Sequence, residues 1–576
     1  MRFIVMCGVI ASFLISTQTI AAPLPNSGSL YRQIKDDSLR DIGKVKEQPE
    51  TEISVPDQRT YDDTHQLHVN GFKIVGNTRL SENELHLVMQ PFTNRLLNTS
   101  ALHEAANTLM RYYRNQGYFA AKVYIPPHSI HEGIVILHVY EGYLEDNGIE
   151  VENSGVRVKD DIITKLLTST LKPGIIIKAD YERAILLAND LPGITARGIL
   201  YPGREVGDAG FLLQTHDEDV FQGNLDYDNF GDYYTGEHRF GTTLYFNSPT
   251  KNGEELVFRF VTTGEYSNFG YIDLAVPVSN NDMRIGASFD YYKYKLDHEF
   301  RNVGAEGDAF SARVYVKYPF VRTRHNNVHG EASYIYTRMT DESDAGELAD
   351  RVVHTGVFGL HGDHDDDFLA NGVTYFDSSL TVGYLDLDGN DAYEDFDDMT
   401  AETAGSFAKL NVSLSRLQHL YGNLSSNISI SGQFANKNLD TSQKFYLGGP
   451  YSVGGYPTGQ AGGDDGALFN ADLRYDFYDL PWKGNLQFSA FYSCGWTKLH
   501  KDPWNGWEGN NDFIKNDIVL QSVGLTLTQT WSDTMVVRAM LGRQIGNNDT
   551  KWPDTGEARD RSDSDYRFWI NTIFYF

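Results

Sequence analysis

The amino-acid sequence predicts a mainly β fold, in which a 16-stranded antiparallel transmembrane β-barrel follows two α+β domains. Three observations lead to this fold class. The chain changes character near residue 217, where mixed helix and strand signals give way to strand signals alone. The later segments alternate apolar and polar residues. The chain also ends in an aromatic strand, RFWINTIFYF, at Phe576.

The alternation is clearest in one predicted hairpin. Every second residue is apolar in AKLNVSLS (408–415) and again in most of NLSSNISISGQFA (423–435). A soluble β-sandwich would bury that apolar face, whereas a membrane barrel turns it towards lipid. The opposite face is rich in Asn, Gln and Ser, which suits a wet lumen and favours the barrel. Residues 217–576 would supply sixteen strands of roughly 22 residues each, connections included.

The first 21 residues have the pattern of a secretory signal peptide. Arg2 supplies the positive end, Phe3 to Ile15 the apolar run, and Thr19-Ile20-Ala21 the cleavage site. The alternative is a membrane anchor, but the apolar run is shorter than the ~20 residues that span a bilayer. We therefore expect residues 1–21 to be removed from an exported protein.

Composition and motifs exclude several functions. The net charge of −29 disfavours nucleic acid, whose binding needs Lys and Arg at phosphates. The glycine-rich stretch KFYLGGPYSVGGYPTGQAGGDDG (444–466) lacks the Lys-Ser/Thr of a P-loop, and a strand pattern follows it. No Gly-x-Ser-x-Gly or HExxH motif occurs. We expect a protein that is not an enzyme and has no cofactor.

Two acidic runs are candidates for metal sites. The run LDLDGND begins a pattern that has Asp391 and Asp397 where a calcium loop of the EF-hand type needs Gly and Glu. HGDHDDD (361–367) carries two His residues among its carboxylates. We interpret both runs as solvated loops and predict no metal site.

The part before residue 217 contains two similar modules, 67–142 and 143–216, each with the element order β-α-α-β-β. Ser81 and Glu84 form a capping box at the first helix, and Ser100 is predicted to cap the second, which Gly117 ends. The alternative is a single α+β domain. Upstream, residues 28–46 predict a short amphipathic helix with Leu30, Ile34 and Leu39 as apolar marks, or else a disordered tail.

Four stretches identify a family. They are LPGITARGILYPG, FAKLNVSLSRLQHL, ISGQFANKNLDTSQKFYLGGP and YSVGGYPTGQAGGDDGALFNADLRYDF. With them the chain resembles, from about Leu67 to Phe576, the two-partner secretion transporters (TpsB type, the hemolysin/adhesin secretion-activation proteins), a branch of the BamA-like barrel superfamily. The resemblance implies a bacterial outer-membrane protein whose POTRA domains lie in the periplasm.

The resemblance also assigns domains. It implies POTRA 1 at 67–142, POTRA 2 at 143–216, and the transmembrane barrel at 217–576. Residues 22–66 would hold a plug helix inside the barrel and its linker. Phe574 and Phe576 would belong to the C-terminal signal that the barrel assembly machinery reads during biogenesis.

A loop inside the lumen is the site that the resemblance implies. In this family the loop after the eleventh strand folds into the barrel, and its tip usually reads Val-Arg-Gly-Tyr; here it reads Val453, Gly454, Gly455, Tyr456. The Arg usually meets an Asp in a wall segment resembling Phe-Tyr-Asp-x-Gly. That segment here carries Phe491, Ser493 and Gly495, so both charges are missing. Joint loss is reasonable because one buried charge alone costs ~3–5 kcal/mol. The alternative is misalignment by a residue or two.

The implied function is export of a large unfolded partner protein, such as an adhesin, a cytolysin or a contact-dependent toxin. The POTRA domains and the lumen would bind the partner, and outer-membrane lipid would surround the barrel. One alternative is a general assembly factor for outer-membrane proteins, which usually has more POTRA modules. Another is a diffusion porin, which would not need two such modules. The sequence does not identify the cargo.

Overall fold

The computed structural model describes residues 25–40, 66–126, 129–155, 157–478, 480, 484–508, 515–532, 534–548, 550, 560 and 562–576. The predicted signal peptide, 1–21, lies outside the described residues, as does most of the predicted linker. The first described helix is α1, Ser27–Arg40. It begins one residue before the predicted helix, whose last residues, 41–46, are not described.

The described residues of the first domain form six strands and two α-helices. In chain order they are β1 Gln66–Val69, β2 Gly71–Val75, α2 Glu82–Met89, β3 Arg95–Asn98, α3 Thr99–Asn115, β4 Lys122–Tyr124, β5 Ile130–His131 and β6 Ile134–Tyr140. The main sheet has the order β2-β6-β4, with β2 parallel to β6 and β4 antiparallel to it. The apolar faces of α2 and α3 pack on this sheet in one buried cluster.

The second domain repeats this topology. Its elements are β7 Tyr143–Asn153, α4 Asp160–Thr170, β8 Gly174–Ile175, α5 Lys178–Asn189, β9 Ile194–Pro202 and β10 Asp208–Asp217. The sheet order is β8-β7-β10-β9, with β7 parallel to β10 and β9 antiparallel to it. Both domains therefore pair their first long strand in parallel with their last strand. The short β3, β5 and β8 are additions to the predicted element order.

The helix starts in the first domain test two predictions. Ser81 and Glu84 form the predicted capping box, with both hydrogen bonds present. The prediction for Ser100 is wrong, because α3 begins at Thr99 and Asn98 is its N-cap. The Asn98 side chain accepts a hydrogen bond from the Ala101 N–H at 2.9 Å, so the cap lies two residues earlier.

A two-residue connection, Glu141-Gly142, joins the domains. The buried Glu141 carboxylate accepts hydrogen bonds from the backbone N–H groups of Thr78 and Arg79, each at 2.8 Å. Burial, and secondarily the Glu141 charge, raise the pKa of Tyr113 above its ordinary value. Phe119 of the first domain is buried in the apolar cluster of the second. The junction is thus packed and hydrogen-bonded.

Sixteen antiparallel strands close into a barrel, as predicted. They are β11 Phe221–Asp228, β12 Arg239–Asn247, β13 Glu255–Thr262, β14 Ser267–Pro277, β15 Arg284–Lys295, β16 Glu306–Arg322, β17 Asn326–Ser343, β18 Gly346–Asp366, β19 Gly372–Asp386, β20 Gly405–Tyr421, β21 Leu424–Ala435, β24 Asp465–Phe477, β25 Asn485–Lys498, β26 Asp517–Trp531, β27 Met535–Ile545 and β28 Tyr566–Tyr575. The short strands β22 Phe445–Leu447 and β23 Ala461–Gly463 lie in the loop between β21 and β24 and pair with each other.

Closure of the barrel pairs the backbone N–H and C=O groups at the strand edges, for which lipid offers no hydrogen-bond partners. None of the helices in the described part of the chain is long and apolar enough to cross a membrane.

The predicted hairpin is formed by β20 and β21. The burial of its two faces shows whether the apolar face lies outside or inside. Leu414 and Ile430, which lie opposite each other, are each 53% exposed on the outer surface. Lys409 and Gln433 are buried inside. A sandwich would bury the apolar face, so the exposed apolar face is that of a barrel in lipid.

The barrel closes where β11 meets β28. Their pairing joins Asn224–Asp228 to Tyr575–Asn571, five residue pairs, the shortest pairing in the barrel. Phe576 adds two backbone hydrogen bonds to Gly223, at 2.9 and 3.0 Å. Phe574 and Phe576 are exposed on the outer surface. Their role as an assembly signal stays a prediction.

The two acidic runs are more regular than predicted. Residues 361–366 belong to β18, and the prediction of a solvated loop there is wrong because both neighbouring strands pair with them. His361 stacks on His329 of β17, with ring centroids 5.3 Å apart. The other run leads from β19 into α6, Asp391–Asp398, which Asn390 caps. Within the described residues, no group of three or more His, Cys, Asp or Glu could hold a metal ion.

Candidate transport pore

Within the part of the chain that the structure describes, two segments occupy the barrel lumen. One is α1, and the other is the loop 436–464 between β21 and β24, here called the lumen loop. β21 is the eleventh barrel strand, so this loop is the one that the sequence singled out. Both segments carry residues that are buried, among them Leu30, Val453 and Tyr456.

A buried arginine connects α1, the barrel wall and the lumen loop. Arg351 of β18, 1% exposed, donates hydrogen bonds to Asp341 of β17 at 2.6 Å and to Asp440 of the lumen loop at 2.7 Å. Its Nη2 also donates to the Ser27 hydroxyl at 2.7 Å. Ser27 in turn donates its backbone N–H to Asp341 at 2.7 Å. We call these four residues the Arg351 network.

The rest of α1 is held along its length. Leu30, Tyr31 and Ile34 pack in an apolar cluster with aromatic residues of the wall. Tyr31 donates a hydrogen bond to Asp290 of β15, and the Lys35 ammonium lies 2.8 Å from the same carboxylate. The helix buries its predicted apolar marks Leu30 and Ile34 here, while Leu39 packs at the edge of the cluster.

The C-terminal half of α1 meets the opposite wall. Asp37 lies 3.3 Å from Arg239 of β12, which also pairs with Asp228 of β11 at 2.8 Å. The Arg40 guanidinium lies over the ring of Tyr451 in the lumen loop, 4.4 Å from its centroid. The helix therefore crosses the lumen from β17–β18 to β11–β12.

The helix and the lumen loop also touch directly. A Cβ added at Gly28 would lie 2.4 Å from the Thr441 hydroxyl and 2.9 Å from the Ser442 backbone nitrogen. A Cβ added at Gly459 would lie 2.3 Å from the Gln33 side chain, and Gly459 has a φ of +68°, a value that favours glycine. Glycine therefore permits both contacts between the two segments.

The lumen loop is a twisted hairpin with a long turn. Its two short strands, β22 and β23, pair antiparallel. Gly448 and Gly449 have φ of +100° and +93°, values that favour glycine, and they begin the turn. At the base, the buried Asp464 carboxylate accepts from Lys444 Nζ at 2.7 Å and from the Lys501 N–H at 2.8 Å.

The tip of the loop lies against the strands β25 to β28. A Cβ at Gly455 would lie 2.8 Å from backbone atoms of Arg543 and Gln544. A Cβ at Gly454 would lie 2.0 Å from Met540 Cε and 3.4 Å from Phe491. A Cβ at Gly542 of the wall would lie 2.4 Å from the Gly454 carbonyl oxygen. The glycines at the tip thus permit close approach of two backbones.

The structure brings together part of the predicted site. Phe491, Ser493 and Gly495 all face the lumen, in alternating positions of β25. A Cβ at Gly495 would lie 3.0 Å from Val453 Cγ2, so the third wall residue contacts the first tip residue. The nearest side chains to position 454 are Met540 and Phe491, whereas Ser493 lies opposite Ser522. The hypothesis of a lost ion pair between positions 454 and 493 stays a prediction.

Sequence reasoning missed three residues that hold the tip. The Trp569 indole N–H donates to the Gly454 carbonyl at 2.7 Å. Phe230 and Met540 form a buried cluster with Trp569 and Phe491. One signal is visible in the sequence, since Trp569 alternates with Arg567 and Asn571 on the inward face of the last strand. A bulky apolar residue is unusual among polar lumen positions.

The second domain is fixed to one rim of the pore. Asp190, which follows α5, accepts two hydrogen bonds from Arg322 of β16, each at 2.8 Å. Arg284 of β15 donates to the Asp190 backbone carbonyl at 2.8 Å. A bidentate pair of this kind fixes orientation as well as distance. The second domain therefore stands next to one mouth of the lumen.

Comparisons with known proteins agree with this architecture. Residues 67–142 match the POTRA domain, ShlB-type. A heme/hemopexin transporter protein, HuxB of Haemophilus influenzae (strain 86-028NP), is 26% identical over 580 residues, covering 99% of this chain and 98% of its own. The outer membrane transporter CdiB of Dickeya dadantii (strain 3937) is 21% identical, with 80% of each chain covered.

A solved structure shows the same fold. CdiB from Escherichia coli superposes with a TM-score of 0.68 at 17% identity, over 94% of this chain and 96% of its own. BamA from Haemophilus ducreyi lacking POTRA domains 1–3 superposes with a TM-score of 0.51 at 13% identity, over 88% of this chain and 100% of its own. These likenesses support the fold of a POTRA-preceded barrel.

The predicted family is confirmed. Residues 209–507, just over half of the chain, match the haemolysin secretion/activation protein ShlB/FhaC/HecB family. Its members are outer-membrane transporters of two-partner secretion that act with large secreted partner proteins, and their POTRA domains are periplasmic. The chain belongs to the ShlB/FhaC/HecB family of two-partner secretion transporters.

Proposed function

We propose that this transporter exports one large partner protein, which crosses the lumen as an extended chain after α1 and the lumen loop have moved. The observation that carries the proposal is the Arg351 network, in which both obstructing segments depend on one wall residue. Departure of α1 would remove two hydrogen-bond donors from Asp341, the Ser27 N–H and hydroxyl. With the preceding Asn26 it would also remove the acceptor of the Thr441 hydroxyl of the loop, at 2.9 Å, so movement of the helix weakens the hold on the loop as well.

The periplasmic domains would capture the partner by strand addition. The strand β9 is an edge of its sheet, with β10 as its one neighbour among the described residues. Asn189 covers the edge at Ala196, whose N–H and C=O it binds at 2.8 and 2.7 Å. The edge beyond, from Gly198 to Pro202, offers main-chain hydrogen bonds to an extended partner. Main-chain recognition suits an unfolded cargo of variable sequence.

Transport of this kind needs no catalytic chemistry in the chain itself. No nucleotide motif occurs in the sequence, and the periplasm offers no ATP. Folding of the partner at the cell surface would prevent its return and so give the movement a direction. We therefore propose that the protein is not an enzyme and needs no cofactor.

As the first candidate cargo we propose a partner protein that serves heme/hemopexin transport. The relatives named for that activity align over nearly the whole of this chain, whereas the CdiB relatives align over 75–80% of it. Cells lacking this gene should then lose a surface activity towards hemopexin. Loss of growth inhibition of neighbouring cells would instead indicate a contact-dependent toxin.

The experiment that tests export compares surface and medium proteins of the native cell with and without this gene. Loss of one very large protein, with other outer-membrane proteins unchanged, would support a dedicated transporter and identify the cargo. Depletion of many barrel proteins would replace the proposal with the assembly-factor function. An unchanged protein profile would contradict both.

A further inference from the structure

The tip of the lumen loop, Val453-Gly454-Gly455-Tyr456, carries no charged side chain of its own. Position 454, where the resemblance to the family implies Arg, is glycine, and the wall position 493 is Ser. The space around the tip is filled by the buried side chains of Phe230, Phe491 and Met540 together with Trp569. A cluster of this composition would destabilise an unpaired charge and stabilises an uncharged tip.

A directional bond from this cluster reaches the backbone of the tip. The Trp569 indole N–H donates to the Gly454 carbonyl oxygen at 2.7 Å. The missing side chains at Gly454 and Gly542 let that carbonyl approach the wall, since a Cβ at Gly542 would collide with it at 2.4 Å. A buried carbonyl that loses its donor bears the full cost of desolvation. Loss of this bond would therefore destabilise the tip against the wall.

We propose that Trp569 is the positioning residue of the lumen loop in this chain, and that its indole N–H, with the packing of Met540 and Phe491, holds the uncharged tip against the wall. Removal of the N–H alone should release the tip, because the apolar contacts orient the loop weakly. The role concerns the proposed export function but can be measured without any cargo.

The same residue links the loop to the closure of the barrel. Trp569 lies on β28, and Phe230 follows β11, the strand that pairs with β28. Their rings meet edge to face with centroids 5.9 Å apart, and Phe230 meets Tyr451 of the loop at 5.6 Å. The Thr458 hydroxyl donates to the Phe230 carbonyl at 2.8 Å. The docked tip thus contacts both sides of the shortest strand pairing in the barrel.

The test follows a buried residue of the tip. Val453 is fully buried, and Cys494 is the one cysteine outside the predicted signal peptide. A Val453→Cys variant in a Cys494→Ser background would be purified at full length, and its rate of labelling by a maleimide measured. The matched control is Trp496→Phe, because Trp496 also donates an indole bond, at 3.0 Å to Asp517, but on the outer face. Mobility on unheated gels reports that each barrel is folded.

We expect Trp569→Phe, added to the Val453→Cys protein, to raise its labelling rate at least about 10-fold over that of the parent, because it removes one buried hydrogen bond and also shortens the ring that packs on Phe230. Trp496→Phe should label at the parent rate. Equal labelling of Trp569→Phe and its parent would overturn the proposal. If Trp569→Phe does not fold, Gly542→Ala tests the same contact from the wall, because its Cβ would displace the Gly454 carbonyl from the indole, and an unchanged rate there would overturn the proposal equally. Failure of export in the native cell leaves these rates unaffected, so the two proposals fail separately.

Discussion

The lumen is obstructed by α1 and the lumen loop, and the wall holds them in two places of opposite chemistry. The N-terminal end of α1 and the base of the lumen loop meet at a buried arginine with two carboxylates, Asp341 and Asp440. The tip of the loop rests on apolar side chains and on neutral hydrogen bonds, from Trp569 to Gly454 and from Thr458 to Phe230. Breaking a buried ion pair from one side is strongly unfavourable, whereas apolar contacts part without leaving charge behind. The tip of the lumen loop is therefore easier to release from the wall than the junction at Arg351.

Deletion of residues 22–46 should have the largest effect, because it removes α1 from the lumen altogether. We expect a higher ion conductance in planar bilayers than that of the intact chain reconstituted in the same way. Equal conductance of the two proteins would mean that α1 does not restrict the pore, and the first half of the comparison would fail.

Arg351→Ala should break the charged end selectively. Asp341 and Asp440 would remain buried without their counter-ion, at a cost of about 3–5 kcal/mol. We expect raised conductance and a lower thermal stability. The matched control is Arg111→Ala, because Arg111 of α3 donates to Glu104 at 2.6 Å and both side chains are exposed. An exposed pair contributes about 0–1 kcal/mol, so similar losses in both variants would contradict the assignment.

Gly454→Arg tests whether the tip tolerates charge. The Arg would enter the apolar cluster, displacing Met540, and an uncompensated buried charge costs about 3–5 kcal/mol. We expect impaired assembly or export, and recovery when Ser493→Asp is added. A harmless single variant would show that positions 454 and 493 do not face each other. The side chains nearest to position 454 would then be those of Met540 and Phe491.

Gly455→Ala should have the smallest effect of the four. One methyl group would meet the backbone of β27 at 2.8 Å, and such overpacking costs about 1–3 kcal/mol. We expect the tip to leave the wall somewhat more often. The measurement is the rate at which a maleimide labels the Val453→Cys protein, as described above. Gly270→Ala is the control, since a Cβ there has no neighbour within 4 Å. A faster rate in the control alone would contradict the close approach of the tip.

Some predictions fail where local pattern and long-range pairing disagree. Residues 361–366 have the composition of a loop, yet β17 and β19 pair with them on both sides and extend β18 through them. The predicted cap at Ser100 lies two residues late, because Asn98 accepts the same kind of hydrogen bond and lies at the end of β3. In both cases a neighbouring strand decided between local alternatives.

The sequence by itself determined the order of the domains, the alternation that separates Leu414 from Lys409 on opposite faces of β20, and the glycines of the lumen loop. These properties depend on residues near one another in the chain, so their periodicity and their glycines are readable. Only the tertiary structure decided that Ser27 meets Arg351, and that Trp569 meets Gly454. Those partners are 324 and 115 residues apart, and they meet only because closure and register of the barrel place them together.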